Sequence, residues 1–107
     1  VNLADLARLE TWPGSVPHGL TKAAIVPMTR GLAPALAPDV RVNAVAPGVV
    51  LLPEKFDEAV AEHLRTTTPL GRFGTPEDVA QAVVYLLQAE YVTGEVTCVD
   101  GGRHVRL

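Results

Sequence analysis

A chain of 107 residues holds one domain at most, and 48% hydrophobic with 20% charged residues is enough apolar material to bury a core. Its net charge of -3 comes without a run of Lys and Arg, which argues against a positive stripe for a nucleic-acid backbone. No apolar run approaches the roughly 20 residues of a membrane helix, no basic-then-apolar leader opens the chain, and the single Cys98, which cannot form an internal disulfide, reads as a buried, inert thiol of a reducing cytoplasm.

Val1 to Leu3 reads as the end of a strand, followed by a loop from Ala4 to Pro17 punctuated by Pro13, Gly14 and Pro17. Trp12 in this loop is either a packing anchor or a wall of a substrate pocket. A helix is expected over Val16 to Leu36, with Leu20, Ala24, Met28, Leu32 and Leu36 forming a stripe that is core or interface. Pro27 and Pro34 fall inside it, each removing an amide donor at a cost of roughly 3 kcal/mol, so the helix should kink or end early. Gly31 weakens it further.

Val40 to Ala46 is apolar at nearly every position, as in a parallel strand covered on both faces, and Pro47-Gly48 ends it. Pro53 and Glu54 suit the first turn of a helix reaching Arg65, with Phe56, Ala59, Val60 and Leu64 as its apolar face and His63 exposed. Thr75-Pro76-Glu77-Asp78 is the clearest helix start in the chain, an N-cap, a first-turn proline and two acids. Val79, Ala82, Val83, Leu86 and Leu87 continue it as an amphipathic stripe. Tyr91-Val92-Thr93-Gly94 then turns the chain into a last strand, Glu95 to Val99, which Asp100-Gly101-Gly102 terminates. Arg103, His104 and Arg106 form a solvated or interfacial basic tail.

Chemistry concentrates between Asp5 and Lys22. His18 and Lys22 are four apart at the head of the long helix and so share one face, and Asp5 lies thirteen positions before His18, just beyond the first strand. An acid at a strand end facing an imidazole and an ammonium is a candidate reaction site, because ligands of open parallel sheets gather beyond the carboxyl ends of strands. The Pro47-Gly48 turn lies at such an end; it is either a plain turn or a place where a cofactor ring approaches bare backbone.

These residues resemble the catalytic region of the short-chain dehydrogenase/reductase family: a Tyr, three residues and a Lys, with a Ser thirteen positions before the Tyr. Asp5 stands at the Ser position, as in pteridine reductases, and His18 stands at the Tyr position. Val40-Arg41-Val42-Asn43-Ala44-Val45-Ala46-Pro47-Gly48, Pro69-Leu70-Gly71-Arg72-Phe73-Gly74-Thr75-Pro76-Glu77-Asp78-Val79-Ala80, Tyr91-Val92-Thr93-Gly94-Glu95 and Val99-Asp100-Gly101-Gly102 extend the resemblance over nearly the whole chain. It implies an α/β fold, the C-terminal part of a Rossmann-like doubly wound parallel sheet. The family's glycine-rich dinucleotide turn has no counterpart among these residues, so 1–107 is expected to be a partial domain carrying the catalytic and substrate-loop part.

By the same resemblance the protein is an NAD(P)-dependent oxidoreductase, NADP or NAD serving as cofactor and a small carbonyl compound or pterin as substrate, and a homo-oligomer when complete. Asp5, His18 and Lys22 would be catalytic, with Lys22 also on the cofactor ribose, and Pro47, Gly48 and Val49 would flank the nicotinamide. No metal ligands are assigned. Val50, Leu51 and Leu52 occupy the region where the family often has a cofactor-binding Thr, and the following helix closes over substrate and sets its preference. A cation beside a phenol helps it release a proton, whereas a cation beside an imidazole disfavours the imidazolium that has to donate; a nearby carboxylate opposes that. An imidazole also reaches less far than a phenol, and about 1 Å of misplacement costs on the order of 100-fold in rate. The alternative is a truncated, non-catalytic remnant acting at most as an association module.

Overall fold

The computed structural model describes residues 1–6, 14 and 16–105. Trp12, Pro13 and Arg106 lie outside them, with the expectations placed on them. The elements are β1 (Asn2–Leu3), α1 (Val16–Leu36), β2 (Ala44–Pro47), α2 (Glu58–Thr66), α3 (Pro76–Gln88), β3 (Val96–Val99) and a closing 3-10 turn, Arg103–Val105. The three strands are parallel in the order β1-β2-β3, with Leu3 opposite Val45 and Val45 opposite Thr97, so the fold is α/β as expected. Helical crossovers permit this pairing, and they bring the carboxyl ends of all three strands to one edge of the sheet.

Small residues hold the layers close. Ala4, Ala44 and Ala46 form a buried cluster against which Ile25, Val96 and Cys98 pack, and α1 meets the sheet through Gly19, Thr29 and Ala33. The stripe Leu20, Met28, Leu32 and Leu36 is exposed, as is Ala24, so it is not core. Four-residue spacing drifts by about 40° per step around an α-helix. That stripe therefore starts opposite Thr29 at Leu20 and winds round the helix towards the Thr29 side by Leu36, while Pro27 and Pro34 lie exposed on the side opposite Thr29. The helix runs unbroken through both prolines, which lie exposed on its surface.

Two boundaries differ from the sequence reading. The second strand begins at Ala44 rather than Val40: the Val42 amide donates to Thr93 Oγ1 (3.1 Å), and the buried Asn43 side chain spans the Val92 carbonyl (2.8 Å) and the Glu95 amide (3.0 Å). The next helix begins after Asp57, whose extended backbone and carboxylate, accepting from the Ala59 and Val60 amides, make it the N-cap, so Pro53 and Glu54 precede the helix instead of forming its first turn. Its buried residue is Ala61, while Phe56, Ala59 and Val60 are exposed. The start of α3 is as read, with Thr75 and Asp78 completing a reciprocal capping box, but Leu87 points outward. No helix among the described residues is long and apolar enough to cross a membrane.

Candidate active site

The parallel pairing sets the residues after β1 and after β2 on neighbouring strand ends. Ala4 donates to the Val45 carbonyl (2.8 Å), which carries the first chain straight into Asp5. His18, in the first turn of α1, lies across from it: His18 Nε2 and Asp5 Oδ2 are 3.6 Å apart, an ion-pair separation rather than a hydrogen bond. Their side chains are 57% and 38% exposed, so water and small molecules reach both.

Lys22, one turn further on, reaches the same strand end, its ammonium donating to the Leu3 carbonyl at 3.1 Å. An ammonium has three N–H donors, so two are left to serve a ligand. Thr21 donates to the His18 carbonyl (2.8 Å) and bolsters the turn that presents both side chains. The structure thus brings Asp5 and His18 into contact and anchors Lys22 to the strand that leads to Asp5.

Pro47 closes β2, and the half-buried Gly48 and Val49 follow. Gly48 donates to the Val99 carbonyl (2.9 Å), while the Val49 carbonyl accepts from Gly74 (2.9 Å). A Cβ on Gly48 would stand 2.8 Å from the Cα and Cβ of Asp100, so packing between strand ends by itself requires glycine there. Leu51 is 78% exposed and offers no hydroxyl.

A second constellation, not anticipated from the sequence, lines a cleft of about 360 Å³ beyond β3. Arg72 and Asp78 pair at 2.8 Å on one wall, Asp100 and His104 pair at 2.8 Å on another, and Cys98 lies between. Cys98 is half-buried rather than enclosed. Asp78 is held down to about 2, first by the hydrogen bond from Arg72 and then by that from the Thr75 amide. Burial works most strongly against the charged Asp100, yet the hydrogen bonds from His104 and Gly102 together bring its carboxyl below the ordinary range. None of Asp5, His18, Lys22, Pro47, Gly48 or Val49 lines this cleft.

The basic tail is also not what its composition suggested. Arg103 is only 7% exposed, and its guanidinium donates to the Leu64 carbonyl (3.2 Å) and Thr67 Oγ1 (3.1 Å) at the end of α2. Arg41 likewise serves α3, donating to the carbonyls of Leu86 (2.7 Å) and Leu87 (2.8 Å). The one signal available in the sequence was Asp100 followed four residues later by His104 across two glycines.

Comparison with known proteins agrees with this architecture. A family model described as Enoyl-(Acyl carrier protein) reductase matches residues 1–104. The 3-oxoacyl-[acyl-carrier-protein] reductase FabG of Thermotoga maritima is 42% identical over 107 residues, covering 95% of this chain and 44% of that protein. A short-chain dehydrogenase/reductase from Brucella melitensis superposes with a TM-score of 0.82 at 38% identity, over 94% of this chain and 41% of that one. A small-chain dehydrogenase in complex with NADPH superposes with a TM-score of 0.85 at 28% identity, over 96% and 49%. The chain spans less than half the length of the curated relatives it matches.

Proposed function

The chain belongs to the short-chain dehydrogenase/reductase family, and on that premise we propose that it forms the carboxyl-terminal, proton-donating part of an NADPH- or NADH-dependent carbonyl reductase. The observation that carries the reading is the meeting of Asp5, His18 and the Lys22 anchor at the carboxyl end of β1. The donor set suits the nicotinamide end of such a cofactor: Lys22 has N–H groups for a ribose hydroxyl, and the turn Pro47–Val49 ends the adjacent strand. When bound, the nicotinamide supplies the hydride to the carbonyl carbon.

The residues of this chain then have the proton to supply. His18 as imidazolium donates from Nε2 to the carbonyl oxygen, and the Asp5 carboxylate stands 3.6 Å from that ring nitrogen. The product is the alcohol, and the neutral imidazole takes its next proton from water, to which it is open.

Two substrate chemistries fit the reading. The likeness to FabG supports a 3-oxoacyl thioester, whereas Asp5 at the position where the resembled family has Ser supports a pterin. The exposed stripe Leu20, Met28, Leu32 and Leu36 supports burial against a second copy of the chain, and the single cysteine supports a reducing, cytoplasmic setting. A second reading, a non-catalytic remnant, is favoured by His18 standing where the family's Tyr is expected.

The test is NADPH oxidation by the intact natural polypeptide with a 3-oxoacyl thioester and with a dihydropterin, in wild type and Lys22→Ala. Turnover of either substrate that Lys22→Ala abolishes supports the reductase. A folded, NADPH-binding wild type that turns over neither leaves the remnant reading.

A further inference from the structure

We propose that Arg103, set in place by the Asp100–His104 pair, is a positioning residue that clips the carboxyl end of α2 to the ends of β2 and β3. The inference rests on the reading above only in one respect, that α2 borders the substrate.

The turn after β3 is built to face two ways. Towards β2, the backbone of Asp100 fills the place a Gly48 side chain would take. Towards α2, Gly101 (φ 64°) and Gly102 (φ 86°) adopt left-handed backbone and leave no room for side chains: a Cβ would lie 2.7 Å from Thr68 Cγ2 and 3.2 Å from Pro69 Cγ, respectively. Leu70 donates to the Gly101 carbonyl (3.1 Å), tying the segment after α2 to the same turn.

Arg103 completes the connection. Helix carboxyl ends leave carbonyls without amide partners and carry partial negative charge, and a buried guanidinium answers both. It takes the Leu64 carbonyl and the Thr67 hydroxyl together, which fixes the last turn of α2 in position and rotation. The hydroxyl of the buried Thr68 also donates to the Leu64 carbonyl (2.7 Å), and Arg103 adds to it a charged donor that reaches in from the turn after β3.

The Asp100 carboxylate, with its side chain 3% exposed, holds the clip shut: Oδ1 accepts from the Gly102 amide (3.0 Å), and Oδ2 from the His104 amide (2.7 Å) and ring Nδ1 (2.8 Å). These bonds curl the backbone through the 3-10 turn and aim Arg103 back at α2. Arg103 therefore acts on the candidate site through the helix rather than by touching a substrate.

The experiment is hydrogen exchange followed by mass spectrometry on wild type, Arg103→Met and Arg103→Lys. Losing a charged hydrogen-bond donor should raise exchange of the amides in 61–71 by about tenfold or more while β2 and β3 keep their protection. Arg103→Lys, which retains one donor for the Leu64 carbonyl, should recover part of that protection. Unchanged exchange at 61–71 in a folded Arg103→Met overturns the clip, and so does an equal loss over every element, which would make Arg103 a general stabiliser. If Arg103→Met does not fold, Arg103→Lys decides the matter by the same local-versus-uniform criterion. Where the intact enzyme turns over substrate, Arg103→Lys should raise KM for that substrate with KM for NADPH unchanged; the reverse split overturns the link to substrate. Exchange reads the clip whether or not the reductase reading holds.

Discussion

Two ends of the same sheet edge use similar residues to opposite effect. Beyond β1, Asp5 and His18 stand 3.6 Å apart and largely in water. Beyond β3, Asp100 and His104 close to 2.8 Å with the carboxylate almost wholly enclosed, and two backbone amides complete its shell. The first pair contributes little to stability because exposed ion pairs seldom do, but its protons can exchange with a ligand. The second pair is stabilising and has its protons committed. A carboxylate and an imidazole thus make an open, ligand-accessible pair at one end and a fastening at the other, and burial with backbone donors decides which.

The comparison breaks most easily at Asp100. Asp100→Ala leaves three donors without their acceptor and should lower the unfolding free energy by about 3 kcal/mol, whereas His18→Ala should change it by under about 1 kcal/mol. Urea denaturation of both variants checks this; equal losses would erase the distinction. Arg41→Met, which uncovers the carboxyl end of α3, should cost about 2 kcal/mol by the same assay.

On the open side of α1, Pro27→Ala should raise stability by about 1 kcal/mol, since it restores a helical amide at the cost of a freer unfolded chain. A thermal melt reads the gain, and a loss would show that the ring makes contacts of its own. The smallest effect is electrostatic. Asp78 and Asp100 both have carboxyls lowered by folding, so their contribution is present above the ordinary value near 3.8 and fades as pH falls through the folded value, about 2 for Asp78. The stability difference between wild type and Asp78→Asn should accordingly narrow between pH 4 and pH 2, in acid denaturation at low salt.

Much of the frame was legible because it rests on local rules. Thr75-Pro76-Glu77-Asp78 announces a helix whatever surrounds it, and the limits of α1 follow from its periodic run. Of the two readings of the α1 stripe, core is excluded: close packing on the sheet selects Gly19, Thr29 and Ala33, whose smallness carries no hydrophobic signal, while the leucines face outward. Pro53 mimics a helix start, but Asp57 has the extended backbone and free-standing carboxylate that cap one. For the site, the four-residue spacing puts His18 and Lys22 on one face of α1, whereas it takes the parallel pairing of β1 with β2 to set Asp5 beside them. Arg103 and Arg41 stayed hidden because their partners, backbone carbonyls and the Thr67 hydroxyl, lie 36 to 51 positions away along the chain, which no local pattern encodes.

The proton-donor role of position 18 is tested most directly by turnover against pH in the intact enzyme with NADPH bound, comparing wild type with His18→Tyr. The account predicts that wild type is slow and slows further as pH rises, because only the imidazolium donates. A phenol reaches further and is eased towards proton release by Lys22, so His18→Tyr should be faster by about 100-fold and keep its activity to higher pH. A His18→Tyr enzyme that binds NADPH and turns over no faster than wild type would contradict it, leaving Asp5 or a water as the donor.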